Sequence, residues 1–161
     1  MKKYKWILLI VNLLVLLVYF NWSVFQKEAI GKEGKLLFLE LIQSNGKSLM
    51  QGDYMRLQYK VQDSLKKALW PAHGMVIVQV DTNSIIQTVR LQDNTIPTKE
   101  TEYAIEFNRT KFQLSIGAEA FFIQEGYHKK YEAAKYAGIR VDEKGHSLLI
   151  GLYNEQLKLI Q

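Results

Sequence analysis

Apolar residues run almost unbroken over 6–25, with Asn12 as the one clearly polar position between Ile7 and Phe20. Beyond that run, apolar and polar positions alternate in short stretches separated by turn residues. The first pattern, about 20 residues or roughly 30 Å as a helix, matches the hydrocarbon thickness of a bilayer. Its Ile, Leu and Val side chains each favour insertion by roughly 0.3–0.6 kcal/mol near the centre, which outweighs one Asn. Trp6, Tyr19 and Trp22 fall where aromatic residues mark membrane interfaces. A single transmembrane helix is the reading.

The second pattern predicts strands. Residues 36–42 form a hydrophobic stretch followed by Asn45-Gly46, a strong tight-turn signal. Residues 54–61 alternate strictly, with Met55, Leu57, Tyr59 and Val61 on one side and Tyr54, Arg56, Gln58 and Lys60 on the other. Stretches 75–80 and 85–91 flank a loop at 81–84, and 103–107 and 111–116 flank Asn108-Arg109-Thr110. Stretches 139–141 and 147–152 flank 142–146, where Gly145 can supply the left-handed residue of a turn. Residues 127–137 lack Pro and Gly, contain three alanines and predict a short helix ended by Gly138. Residues 64–69 predict a further helical turn. The expected fold is mainly β, an antiparallel sandwich or closed barrel with one short helix, preceded by the N-terminal transmembrane helix.

Charge adds orientation. Lys2, Lys3 and Lys5 precede the apolar run without an acidic residue among them, which predicts a cytoplasmic N-terminus and an extracytoplasmic remainder, in the inner membrane of a bacterial-type cell. A cleaved signal sequence needs small residues after its apolar core, and Asn21-Trp22-Ser23-Val24-Phe25 does not provide them. The organisation expected is an anchor over 1–25, a charged, glycine-containing stalk over 26–35 and one β domain over 36–161. The formal net charge of +5 includes those three lysines, so the domain is close to balance and carries no nucleic-acid signature. Zero cysteines exclude disulfides, thiolate nucleophiles, thiolate metal sites and a lipidated cysteine. No cofactor and no metal is expected.

The most specific local string is Gly52-Asp53-Tyr54-Met55-Arg56-Leu57-Gln58-Tyr59. It resembles the bacterial family named for its GDYxxLxY motif, with Gly52, Asp53, Tyr54, Leu57 and Tyr59 at the named positions. The likeness extends to an N-terminal membrane segment, to Phe121-Phe122-Ile123-Gln124-Glu125-Gly126 followed by Tyr131-Glu132, and to a C-terminal hairpin from Val141-Asp142 to Leu152. What it implies is an envelope protein working beside polytopic membrane proteins, without an assigned activity. Read from the residues themselves, Gly52 allows a sharp turn, Asp53 can accept local backbone amides, and Leu57 and Tyr59 point to the core. Tyr54 and Arg56, on the other face, are the candidate contact surface.

A fainter likeness is to the β-fold of type I signal peptidases, whose chemistry needs a serine beside a lysine base; Ser44 and Ser48 are the serines in that neighbourhood. Glu125, His128 and Glu132, at offsets of three and four, form a weak polar cluster whose bland reading is an acidic helix start with solvated neighbours. Asp53 with Glu119 or Glu125 would make the carboxyl pair of a hydrolase if the fold brought them together. His73 and His146 read as exposed turn residues. Asn12 can hydrogen-bond a partner helix inside the membrane. The leading expectation is a non-enzymatic module that binds or supports another membrane protein; the alternatives are an envelope hydrolase and a β barrel holding a small ligand or lipid.

Overall fold

The computed structural model describes residues 2–42, 54–61, 71–92, 100–109, 114–123 and 128–160. The apolar run becomes α1 (Lys2–Glu33), a continuous helix whose residues 4–22 are almost wholly exposed, Leu8 at 72% and Val18 at 68%. Apolar surface bare to that degree is stable in lipid and costly in water, at roughly 25 cal/mol per Å². The segment expected to be a stalk is helical through Glu33. At about 1.5 Å per residue, α1 is about 48 Å long, well beyond the hydrocarbon core.

Among the described residues nine strands follow: β1 (Lys35–Glu40), β2 (Tyr54–Arg56), β3 (His73–Val80), β4 (Ile86–Leu91), β5 (Glu102–Arg109), β6 (Leu114–Ser115), β7 (Ala120–Phe122), β8 (Tyr136–Val141) and β9 (Ser147–Tyr153). They form a three-stranded sheet in the order β1-β8-β9, a four-stranded sheet in the order β4-β3-β5-β6 and the ribbon β2-β7, all with antiparallel pairing. Among the described residues no sheet closes on itself, so the barrel alternative is set aside and the mainly β class stands.

One core joins the sheets. Leu37, Leu39, Ala137, Ile139, Val141 and Leu152 come from the first, and Val76, Val78, Val80, Ile86, Ile105 and Phe107 from the second. Each set follows period-two spacing along its strand, and all of these residues but Ala137, which fell in the expected helix, lie in stretches read as strands. The sheets also meet along the outer edge of β1, where the Phe38 amide donates to the Ser84 carbonyl at 2.9 Å.

The hairpins β3-β4 and β8-β9 form where expected, whereas in β5-β6 the residues expected in the loop, Asn108 and Arg109, belong to β5 and pair with Ser115 and Leu114. In the β3-β4 turn, Asp81 Oδ1 accepts the amides of Asn83 (2.8 Å) and Ile85 (2.9 Å), an arrangement that Asp favours in turns. In the β8-β9 turn Gly145 has φ +89°, as expected, and its carbonyl accepts the Glu106 amide at 2.8 Å, tying the hairpin tip to β5. The helix expected over 127–137 is a single turn, α2 (His128–Tyr131), and β8 begins at Tyr136. Helix propensity loses there to pairing, because Tyr136 and Ala137 lie opposite Glu40 and Leu39 of β1. The Asn45-Gly46 turn and the helical turn over 64–69 lie outside the described residues.

The apolar helix joins the domain at a built junction. The Gly34 amide closes the last helical bond to the Ile30 carbonyl at 3.0 Å. Arg140 of β8 reaches back, its Nη1 donating to the carbonyls of Lys32 (3.0 Å) and Gly34 (2.9 Å). Helix ends leave such carbonyls without internal partners and carry partial negative charge, so a guanidinium suits them. A Cβ on Gly34 would lie 2.6 Å from the Ile30 carbonyl oxygen and 3.1 Å from the Val141 oxygen, so the junction needs glycine.

Candidate functional site

The motif strand is held on both edges. Toward its N-terminal end, β2 pairs with β7, with Tyr54 opposite Phe122 and Arg56 opposite Ala120, and the Leu57 amide continues the ladder to the Glu119 carbonyl at 2.8 Å. Past Leu57 the chain changes partner. The Ile42 amide donates to the Gln58 carbonyl (2.8 Å), Leu41 bridges Tyr59, and the Lys60 amide donates to the Glu40 carbonyl (3.0 Å). The segment expected as a strand over 54–61 is thus extended from Tyr54 to Tyr59, turning at Lys60 and helical at Val61, and its ladder is split between β7 and β1.

Its inner face is spent on the core: Met55, Leu57 and Tyr59 are buried, Tyr59 completely. The Tyr59 hydroxyl donates a short hydrogen bond to the Ala118 carbonyl. Burial pushes the Tyr59 pKa far above the ordinary tyrosine range, with the nearby Glu119 charge adding to it, so the phenol stays a neutral donor. Glu119 in turn fastens the loop that presents Ala118. Its carboxylate accepts the Ile116 amide (2.6 Å) and the Ser115 hydroxyl (2.7 Å), while Gly117 takes φ +81°.

The outer face is open. Arg56, Gln58 and Lys60 are exposed, Ala120 is exposed opposite Arg56, and Phe122 is 78% exposed. Lys60 pairs with Glu40 at 3.1 Å, a solvent-screened contact. Phe121, on the inner side of β7, packs edge-on against Tyr131 of α2 with ring centroids 5.2 Å apart. The structure therefore gathers the motif and the stretch around Phe121, Phe122 and Tyr131 into one unit. Their separation in sequence gave no sign of that pairing.

Gly52, Asp53, Glu125, Ser44 and Ser48 are outside the described residues, and Tyr54 and His128 are placed by their backbone alone. His128 opens α2, and exposed Glu132 follows its last residue. Among the described residues no three His, Asp or Glu side chains could hold a metal ion. Asn12 is exposed on α1. His73 is exposed as expected, at the start of β3.

Two sites were missed. His146, exposed in the turn as expected, also has Nδ1 2.8 Å from Asp142 Oδ2 and Nε2 3.8 Å from Glu106 Oε2. Partial burial disfavours the Asp142 carboxylate, but its hydrogen bonds and charge interaction with His146 outweigh this and lower its pKa. The offset of four across a five-residue turn was the available signal. Arg140 had none, because its acceptors lie more than a hundred positions earlier in the chain.

A family model described as GDYXXLXY protein matches residues 16–152. No curated protein and no solved structure is significantly similar to the chain, and the signal-peptidase likeness therefore gains no support. The match covers the second half of the apolar helix, the motif strand, β7 and nearly all of the C-terminal hairpin, and the chain belongs to the GDYXXLXY family.

Proposed function

We propose that this protein is a single-pass, membrane-anchored envelope module, N-terminus inside, whose β domain binds or supports another membrane protein. The observation that carries the reading is the outer face of the β2-β7 ribbon. Phe122 stands 78% exposed on a strand paired with the motif, and Arg56 is exposed on the same ribbon, whereas the inner residues are committed to the core. Exposed aromatics and arginines are the residue types most enriched where proteins meet. In the hydrolase alternative Asp53 would pair with Glu119 or Glu125; both oxygens of Glu119 are engaged in a turn, and Asp53 and Glu125 lie outside the described residues. In the barrel alternative a cavity is required, and Tyr59, Phe107 and Ile105 fill the space between the sheets.

Purification of the full chain from membranes in mild detergent tests the proposal. A stoichiometric membrane protein should accompany it. Repeated recovery of the chain alone, at concentrations where known membrane complexes survive, overturns the partner role.

A further inference from the structure

We propose that α1 and the β domain form one rigid strut, so that the domain cannot swivel on its anchor and the motif ribbon is held at a set distance from the membrane. A charged segment with glycines, such as 26–35, would serve as a flexible tether if left to its composition. Three features remove that freedom. The helix continues to Glu33 without a break, so the only backbone joint before β1 is Gly34. That joint is buried, and a side chain there would collide with the Ile30 carbonyl. Arg140, fixed in the central strand of its sheet, then holds the carbonyls on both sides of the joint, Lys32 before it and Gly34 itself. The last turn also packs on the sheet: Ala29, Ile30 and Gly31 are half-buried, with Gly31 beside Leu148 of β9.

The strut has a direction. From Lys35 at the joint to Leu41, the chain advances six residues, about 20 Å at roughly 3.3 Å each. Tyr59 bridges Leu41 in antiparallel sense, so residues from Gln58 back to Tyr54 continue beyond the end of β1 that is remote from the anchor. The Phe122 and Arg56 face thus sits at the far end of a stiff support. Only this consequence for height above a bilayer rests on the proposed membrane reading; the rigidity does not.

The absence of cysteines makes the test clean, since labels attach only where a cysteine is introduced. Spin labels at Gln26→Cys on α1 and Gln79→Cys on β3, both exposed positions, report the distance distribution in the full chain by pulsed electron resonance. A strut predicts one narrow peak. Arg140→Met should broaden it at least twofold, and a Gly-Gly-Ser insertion after Gly34 should broaden it further, with near-ultraviolet dichroism showing the domain still folded. A wild-type distribution as broad as that of the insertion variant overturns the strut. An unchanged width in Arg140→Met overturns the role given to Arg140; should that variant fail to fold, the insertion comparison decides. Flotation of the same labelled chain with liposomes tests the anchor separately, because the label distance can be read in detergent whether or not the chain enters a bilayer.

Discussion

The hydroxyl of Tyr59 donates to the carbonyl of Ala118, joining the last named residue of the motif to a loop 59 positions later in the chain. Both groups are buried, so neither can exchange its partner for water. Tyr59→Phe should leave the Ala118 carbonyl unsatisfied and cost roughly 1–3 kcal/mol. Tyr59→Ala adds a cavity and should cost about 3–5 kcal/mol. Urea midpoints of the two variants against the parent check both the direction and the order.

The same burial sets an alkaline limit. Tyr59 ionises in the unfolded chain near its ordinary value of 10.0 but far higher when folded. Its contribution is intact below about pH 10 and is lost as pH rises further, because the unfolded state then releases a proton that the folded state keeps. The parent should lose roughly 1.4 kcal/mol more per pH unit above 10 than Tyr59→Phe does. Denaturant titrations at pH 9, 10 and 11 measure that difference in slope.

Asp142 works at the opposite end of the scale. Its folded pKa lies below the ordinary value of 3.8, so the stabilisation is present above that value and disappears as pH falls through the folded one. Asp142→Asn keeps an oxygen for the amides of Lys144 and His146 but removes the charge facing His146. With His146 about half exposed, the loss at neutral pH should be about 1 kcal/mol or less, and the acid limb of stability should flatten. Thermal melts from pH 2 to 7 decide this.

Gly145 and Gly117 both have positive φ, at 89° and 81°, yet their surroundings differ. A Cβ at Gly145 would meet Met75 Cε at 2.5 Å and the Ala104 oxygen and Glu106 nitrogen at 3.2 Å, whereas one at Gly117 would meet nothing within 4 Å. Gly117→Ala should therefore cost only the backbone term, about 1 kcal/mol. Gly145→Ala adds the clash and loosens the tip from β5, for about 2–3 kcal/mol. Calorimetric melting temperatures should rank parent, Gly117→Ala, Gly145→Ala.

Phe122→Ser separates binding from folding. At a side chain 78% exposed, the substitution should shift stability by no more than about 0.5 kcal/mol. Recovery of a membrane partner should fall several-fold in the detergent co-purification. Equal recovery by parent and variant, with equal expression, would place the contact elsewhere.

Several features were legible because they depend on neighbours close in sequence. The run over 6–25 reports a solvent preference, and the alternation at Met55, Leu57 and Tyr59 reports which face is buried. Asp81 and Gly145 mark turns through their own side chain or its absence. Residues 26–35 show where this ends: composition reads as a stalk, while the structure continues the helix and fastens it with Arg140, a residue with no local mark of that duty. Residues 127–137 show the same limit, since pairing with Leu39 and Glu40 outweighs local helix propensity from Tyr136 onward.

The amino-acid order by itself determined the apolar helix, the strand faces and the tight turns, since each follows from backbone periodicity and the water preference of adjacent side chains. The tertiary structure alone decided that the motif strand divides its ladder between β7 and β1, that Tyr59 finds Ala118, and that Arg140 closes the joint at Gly34. Those bonds form between groups far apart in the chain, and their energies exist only once the register of distant strands has been chosen.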